Sequence, residues 1–131
     1  MKALTIKQPW ANLVSNGIKR IENRTWRPSM KLLEMEELIA IHAGKSIDRR
    51  AYDPGMCPIS PGSPSDARPL GAIIGVAIIV DVVDESSDPW FIGPLGWILD
   101  AIRIKKPIPV RGSLGLWVIP DSIESLIMKQ I

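Results

Sequence analysis

Arg20, Glu22 and Arg24 stand at alternate positions, directly after a Gly-x-Lys run at Gly17 and Lys19. In an extended strand such spacing places all three side chains on one face and Ile21, Asn23 and Thr25 on the other. Trp26 continues the charged face, and a turn at Gly17 can swing Lys19 toward Glu22. A surface of this kind can hold a nucleotide. The cations meet a phosphate or carbonyl, the carboxylate accepts from a base amino group, and the indole stacks. The same residues also describe an ion-paired face turned to water. A core strand would instead carry Val, Ile or Leu along at least one face, because unpaired charge is costly to bury.

Other side chains able to do chemistry are scattered. His42, the sole histidine, closes an apolar run and reads as a hydrogen-bonded structural residue that could also flank a cleft. One histidine and one cysteine, Cys57, do not make a structural zinc site, which takes four such ligands. No metal or cofactor is therefore expected. Lys45 follows Gly44 and faces either a cavity mouth or solvent. Trp90 sits in a Pro/Gly loop where an exposed ring would be free to stack, and Arg111 precedes Gly112, within reach of a phosphate. Trp97 and Trp117 are expected in the core.

The elements that position these residues can be read in turn. Lys2 to Lys7 is a short apolar strand. Pro9 suits a first helical turn, Trp10, Leu13 and Val14 give one apolar face, and Gly17 suits a left-handed stop, so a helix is expected over about Pro9 to Asn16. A strand over Arg20 to Thr25 follows, then a buried strand from Glu37 to Ala43 and a short helix within Lys45 to Tyr52. Pro54 to Gly71, with five prolines and three glycines, is a long loop. Gly71 to Val83 is the central strand, with a bulge or close approach at Gly75. Strands over Trp97 to Ile104 and Ser113 to Ile119 are joined through Pro107 to Val110. Asp121 is expected to cap a final helix in a capping box with Glu124. Strands outnumber helices and are separated mostly by turns. The class is α+β, mainly β, arranged as a small closed or partly closed β-barrel with flanking short helices.

Composition narrows the function. The 131 residues suit one domain spanning the chain, with 46% hydrophobic and 23% charged residues. A net charge of +2 excludes a protein held to duplex DNA mainly by many phosphate contacts. It leaves room for a compact nucleotide site. Five tryptophans against one Phe and one Tyr suit both core packing and base stacking. A single cysteine and no secretory signal or spanning segment point to a cytoplasmic protein without a membrane partner. Oligomeric state is not legible.

Ile6-Lys7-Gln8-Pro9-Trp10-Ala11, followed by Gly17-x-Lys19-x-x-Glu22-x-Arg24-x-Trp26, resembles the signature of ASCH domains, which have a PUA-like β-barrel fold. Ile41 to Lys45, Gly93 to Trp97 and Pro109 to Trp117 resemble the same family. The resemblance implies a cavity suited to RNA or a modified nucleoside, bordered by Gln8, Pro9, Trp10 and the charged strand. Some ASCH proteins are similar to small amidohydrolases that remove an acyl group from N4-acylcytidine, using a Lys, a Thr three residues later and a Glu from elsewhere. The Lys corresponds to Lys19, but Glu22 stands where the Thr is expected, and only Asp81, Asp84 and Glu85 at the end of the central strand offer a second acid. Three readings follow. The first is a domain binding RNA or a nucleotide. The second is a hydrolase, amidohydrolase or ribonuclease, using Lys19 with Glu22 as general base. The third is a protein-interaction module built on the proline-rich loop.

Overall fold

The computed structural model describes residues 1–131. Six strands form one mixed sheet: β1 (Lys2–Gln8), β2 (Ile21–Arg24), β3 (Ile39–Ile47), β4 (Ala72–Val83), β5 (Leu95–Pro109) and β6 (Leu116–Val118), in the spatial order β2-β5-β4-β3-β1-β6. Only the β1–β3 pair is parallel. Three short helices accompany it, α1 (Trp10–Ser15), α2 (Met30–Glu34) and α3 (Asp121–Met128). The α+β, mainly β class expected from the sequence is the one observed.

Neighbouring residues on the central strands point to opposite faces, and both faces are buried. Leu4, Ile39, Ile41, Ile74 and Ile79 join Trp97 and Leu99 in one cluster, which Ala11 and Val14 of α1 and Leu32 of α2 complete. Ala3, Ala40, Ile73 and Val76 face the other way, against Ile104, Ile108, Ile119 and Ile127 of α3. Strands covered on both sides have no use for polar alternation, which explains their nearly unbroken apolar runs. No helix is long and apolar enough to cross a membrane.

The backbone ladder does not close, since β2 and β6 are both edges. Side chains bring the edges together instead. Arg24 Nη2 of β2 donates to the carbonyl of Thr5 on β1 at 3.0 Å, and the Trp26 ring lies 3.8 Å from where a Cβ on Gly115 would stand. The sheet is thus a partly closed barrel.

Gly75 meets its expected role. Register slips beside it on both neighbouring strands, and a Cβ there would lie 2.7 Å from the carbonyl oxygen of Ile102 and 3.0 Å from Ser15 Oγ. A side chain would push α1 off the sheet.

Several boundaries depart from expectation. β3 runs on through Lys45 to Ile47, and the helical turn beyond it is a 3₁₀ turn confined to Arg49–Tyr52. β5 is one strand of 15 residues that includes Pro107 and Pro109, where a connection was expected. Its outer neighbour β2 reaches only to Ile98, so the missing proline N–H groups fall where that side has no ladder. The last helix is capped by Pro120 without a side-chain bond, and Asp121 lies inside it. Glu124 closes no capping box; its Oε2 accepts from the Met1 amine at 3.0 Å. Helix α2 was not foreseen; its Ser29 cap accepts from the Leu32 N–H at 3.4 Å.

Candidate functional site

Helix α1 is short because Gly17, at φ +75°, turns the chain back on itself. The N–H groups of Ile18 and Lys19 then both donate to the carbonyl of Leu13 at 3.0 Å. This doubling back tucks Lys19 beneath the helix it has just left, with Nζ 5.7 Å from the centre of the Trp10 ring. Lys19 is only 4% exposed, and Glu22, on the adjoining strand, 7%.

Glu22 lies between two cations. Its Oε1 is 3.5 Å from Lys19 Nζ and its Oε2 3.0 Å from Arg24 Nη2. Lys19 also donates to the carbonyl of Ile21. Burial lowers the Lys19 pKa below its usual value of 10.5, against the opposing pull of Glu22. A buried pair or triad of this kind holds its charges by mutual contact, since bulk water no longer solvates them.

The triad forms the inner end of a cavity of about 620 Å³, within the rough 300–1,000 Å³ span of small-molecule sites. Trp10 and Trp90 contribute two walls, their rings edge to face at 82° with centroids 6.3 Å apart. Neither indole is loosely placed. Trp10 Nε1 donates to Asp48 Oδ2 at 3.0 Å. Trp90 belongs to the loop after β4, and Asn23 of β2 clamps that loop from below. Asn23 Nδ2 donates to the Trp90 carbonyl at 3.1 Å, and its Oδ1 accepts from the N–H groups of Ile92 and Gly93 at 2.9 and 3.1 Å.

Asp48 is a lining residue that sequence reasoning missed. Burial raises its pKa, but the Trp10 indole and Arg50 outweigh that effect and hold the carboxylate below its usual value. Lys7, Ser46 and Arg50 also line the cavity, as do Met56, Ile92 and Leu114 at the tips of three loops. Lys7 lies in the first quoted motif and could have been weighed from it. Asp48 and Arg50 carry no local signal, because a strand extension no pattern announced brings them to the cavity.

The residues singled out in the sequence divide plainly. Trp10, Lys19, Glu22, Arg24, Lys45 and Trp90 line the cavity. Trp90 does so as a buried wall, where an exposed ring was expected. Five others lie elsewhere. Gln8 is fully buried and braces α1, its Oε1 accepting from the Asn12 N–H and its Nε2 donating to the Pro69 carbonyl, both at 3.0 Å. Pro9 is the helix cap. Trp26 falls beyond the end of β2, where alternation no longer applies, and its ring packs edge-on against Trp97 at 4.8 Å. His42 is held by Thr5 Oγ1 at 3.1 Å and by the Val110 carbonyl at 2.7 Å. Arg111 is exposed, off the lining. Arg20, too, is exposed and precedes the strand.

No second acid comes from the end of β4, since Asp81, Asp84 and Glu85 are all off the lining. No group of three or more His, Cys, Asp or Glu side chains gathers as metal ligands would. Burial raises the pKa of Cys57, away from thiolate chemistry.

Comparison with known proteins gives a consistent placement. No curated protein matches the chain by sequence. Among solved structures, it is similar to an ASCH protein from Zymomonas mobilis, with a TM-score of 0.58 and 17% identity over 97% of this chain and 93% of that one. A single-substitution variant of the Zymomonas protein gives the same TM-score and identity, covering 97% and 96% of the two chains. At that identity the likeness speaks for the fold, which is the PUA-like α+β arrangement. The ASCH domain model matches residues 4–90, the stretch from β1 to the loop bearing Trp90. The chain belongs to the ASCH domain family.

Proposed function

We propose that the protein binds a nucleotide, free or within RNA, in the cavity between Trp10, Trp90 and the Lys19–Glu22–Arg24 triad. One observation carries the reading. Five cationic side chains against two carboxylates, with two indoles, line one hollow in a chain whose whole net charge is only +2. Positive charge is concentrated at the site, so an electron-rich guest is favoured. The indoles offer flat apolar surface to a base, while Glu22 and Asp48 offer acceptors to amino groups.

Titration of tryptophan fluorescence with short single-stranded RNA and with nucleosides tests this. Saturable quenching is expected, and a Lys19→Ala/Arg24→Ala double variant is expected to lose it. Quenching that persists unchanged in the double variant moves the site elsewhere. Thermal melts show whether the variant is folded, and the separate Lys19→Met and Arg24→Lys variants keep the test available if it is not.

Hydrolysis is the second reading, favoured by the lowered pKa of Lys19 beside a carboxylate in the same cavity. Glu22 would take a proton from water, whose oxygen bonds to the acyl carbon as the C–N bond breaks and the departing nitrogen gains a proton. The family's Thr nucleophile has no counterpart at Glu22, so water is the only attacking group assigned. Incubation with N4-acetylcytidine, with Lys19→Ala as control, separates turnover from binding alone.

A further inference from the structure

The ionic groups lining the cavity are not equally occupied. At the inner end Glu22 engages both Lys19 and Arg24. Along one side, Asp48 holds Arg50 at 3.2 Å. Lys7 and Lys45 also line the cavity, both exposed, and neither takes part in any salt bridge of the structure.

These two lysines come from adjacent strands. β1 and β3 run parallel with Ile6 opposite Ala43 and Gln8 opposite Ile47, and the register slips between those pairs. The irregularity places Lys7 beside the stretch that contains Lys45 and Ser46, on the edge of the hollow. The Lys45 stem rests against Gly71, its Cε and Cγ 3.4 and 3.5 Å from where a Cβ there would be. Glycine at that position, φ +67°, leaves the stem a bare stretch of backbone to lie along.

We propose that Lys7 and Lys45 form a phosphate-binding rim, so that the site takes a phosphorylated nucleoside in preference to a free one. The base lies against the indole walls, toward the triad, and the phosphate stays at the mouth against the two unpaired ammonium groups. The charge pattern favours this orientation, although Arg24 Nε at the triad has no partner. An anion placed at the inner end would compete with Glu22 for its cations, whereas at the rim it meets cations with no partner and replaces only water. The inference rests on the nucleotide-binding reading and adds to it the class of ligand and the direction in which it enters.

The phosphate could belong to a mononucleotide or to an RNA chain, and both have the same chemistry at the rim. The probes are cytidine, cytidine 5′-monophosphate and the dinucleoside monophosphate CpA, titrated against the tryptophan fluorescence at two salt concentrations. At low salt the monophosphate or the dinucleotide is expected to bind about tenfold more tightly than cytidine, with the gap narrowing as salt rises. The stronger of the two shows whether the site prefers a phosphate monoester or a diester. In Lys7→Gln/Lys45→Gln the gap is expected to shrink toward nothing and the salt dependence to flatten. Both positions are exposed, so folding should survive, and a melting curve checks it.

Cytidine binding as tightly as its phosphates overturns the rim while leaving nucleoside binding intact. A phosphate preference that persists in the double variant also overturns the assignment to Lys7 and Lys45. If no probe binds, the nucleotide reading itself fails and the rim fails with it.

Discussion

Two polar clusters reach into this small barrel, both touching Thr5, and they are finished in different ways. On one side, Trp117 Nε1 donates to Thr5 Oγ1 at 2.9 Å, and that hydroxyl lies 3.1 Å from His42 Nδ1. His42 Nε2 faces the Val110 carbonyl at 2.7 Å. A carbonyl can only accept, so Nε2 carries the proton and Nδ1 accepts from the Thr5 hydroxyl. Every group has its partner, and Gly112 seals the cluster: a Cβ there would come within 2.5 Å of the His42 ring. On the other side, the Thr5 carbonyl takes one N–H of Arg24, and the Lys19–Glu22–Arg24 triad opens onto a cavity. The first cluster is neutral and complete. The second is ionic, carries more donors than acceptors and has space in front of it. Burial of a polar residue thus says little about function until the balance of its partners is known.

The contrast can be broken by removing the centre of the ionic cluster. Glu22→Ala leaves the buried Lys19 and the half-buried Arg24 without their anion, and a loss of about 3 kcal/mol of stability is expected by urea denaturation. Glu22→Gln, which keeps the shape and an acceptor oxygen, should lose less. Equal losses would mean the charge itself does not matter. A somewhat smaller effect, about 1–3 kcal/mol by the same measurement, is expected for Gly112→Ala, because the His42 ring has no room to retreat. A neutral result there would show that the first cluster is looser than its distances indicate.

The smallest expected effect is a pH dependence. Burial lowers the His42 pKa from 6.5, opposed by the bond to Val110. With the native value below the unfolded one, the unfolded chain binds the proton first. Stability from neutral His42 is therefore fully present above about pH 6.5 and is lost as the pH falls toward the lower native value. His42→Gln should flatten the acid side of a stability–pH profile relative to the parent protein. An unchanged slope would assign the acid sensitivity to carboxylates instead.

How far the sequence could be read depended on whether the cause was local. The Gly17 stop is a backbone requirement written in one residue, and it placed Lys19 correctly against Glu22. Alternation from Glu22 to Arg24 held for the same reason, and failed at Trp26 because β2 ends at Arg24 and the chain bends. Pro107 and Pro109 looked like breaks because their lost N–H groups matter only where a neighbouring strand needs them, and no sequence pattern shows how far β2 extends. Asp48 was invisible for a deeper reason. Its position depends on its own N–H donating to the Gln8 carbonyl at 2.7 Å, a contact between segments forty residues apart.

Arg24 has a double duty. The guanidinium that borders the hollow is also the stitch across the open seam, joining two strands that share no backbone bonds. A guest pulling on Arg24 would therefore tug at the barrel's closure, while one that leaves the stitch untouched could brace the gap from inside. Occupancy and mechanical tightness are in this way tied to one side chain, and the wall could register what it holds without any moving lid.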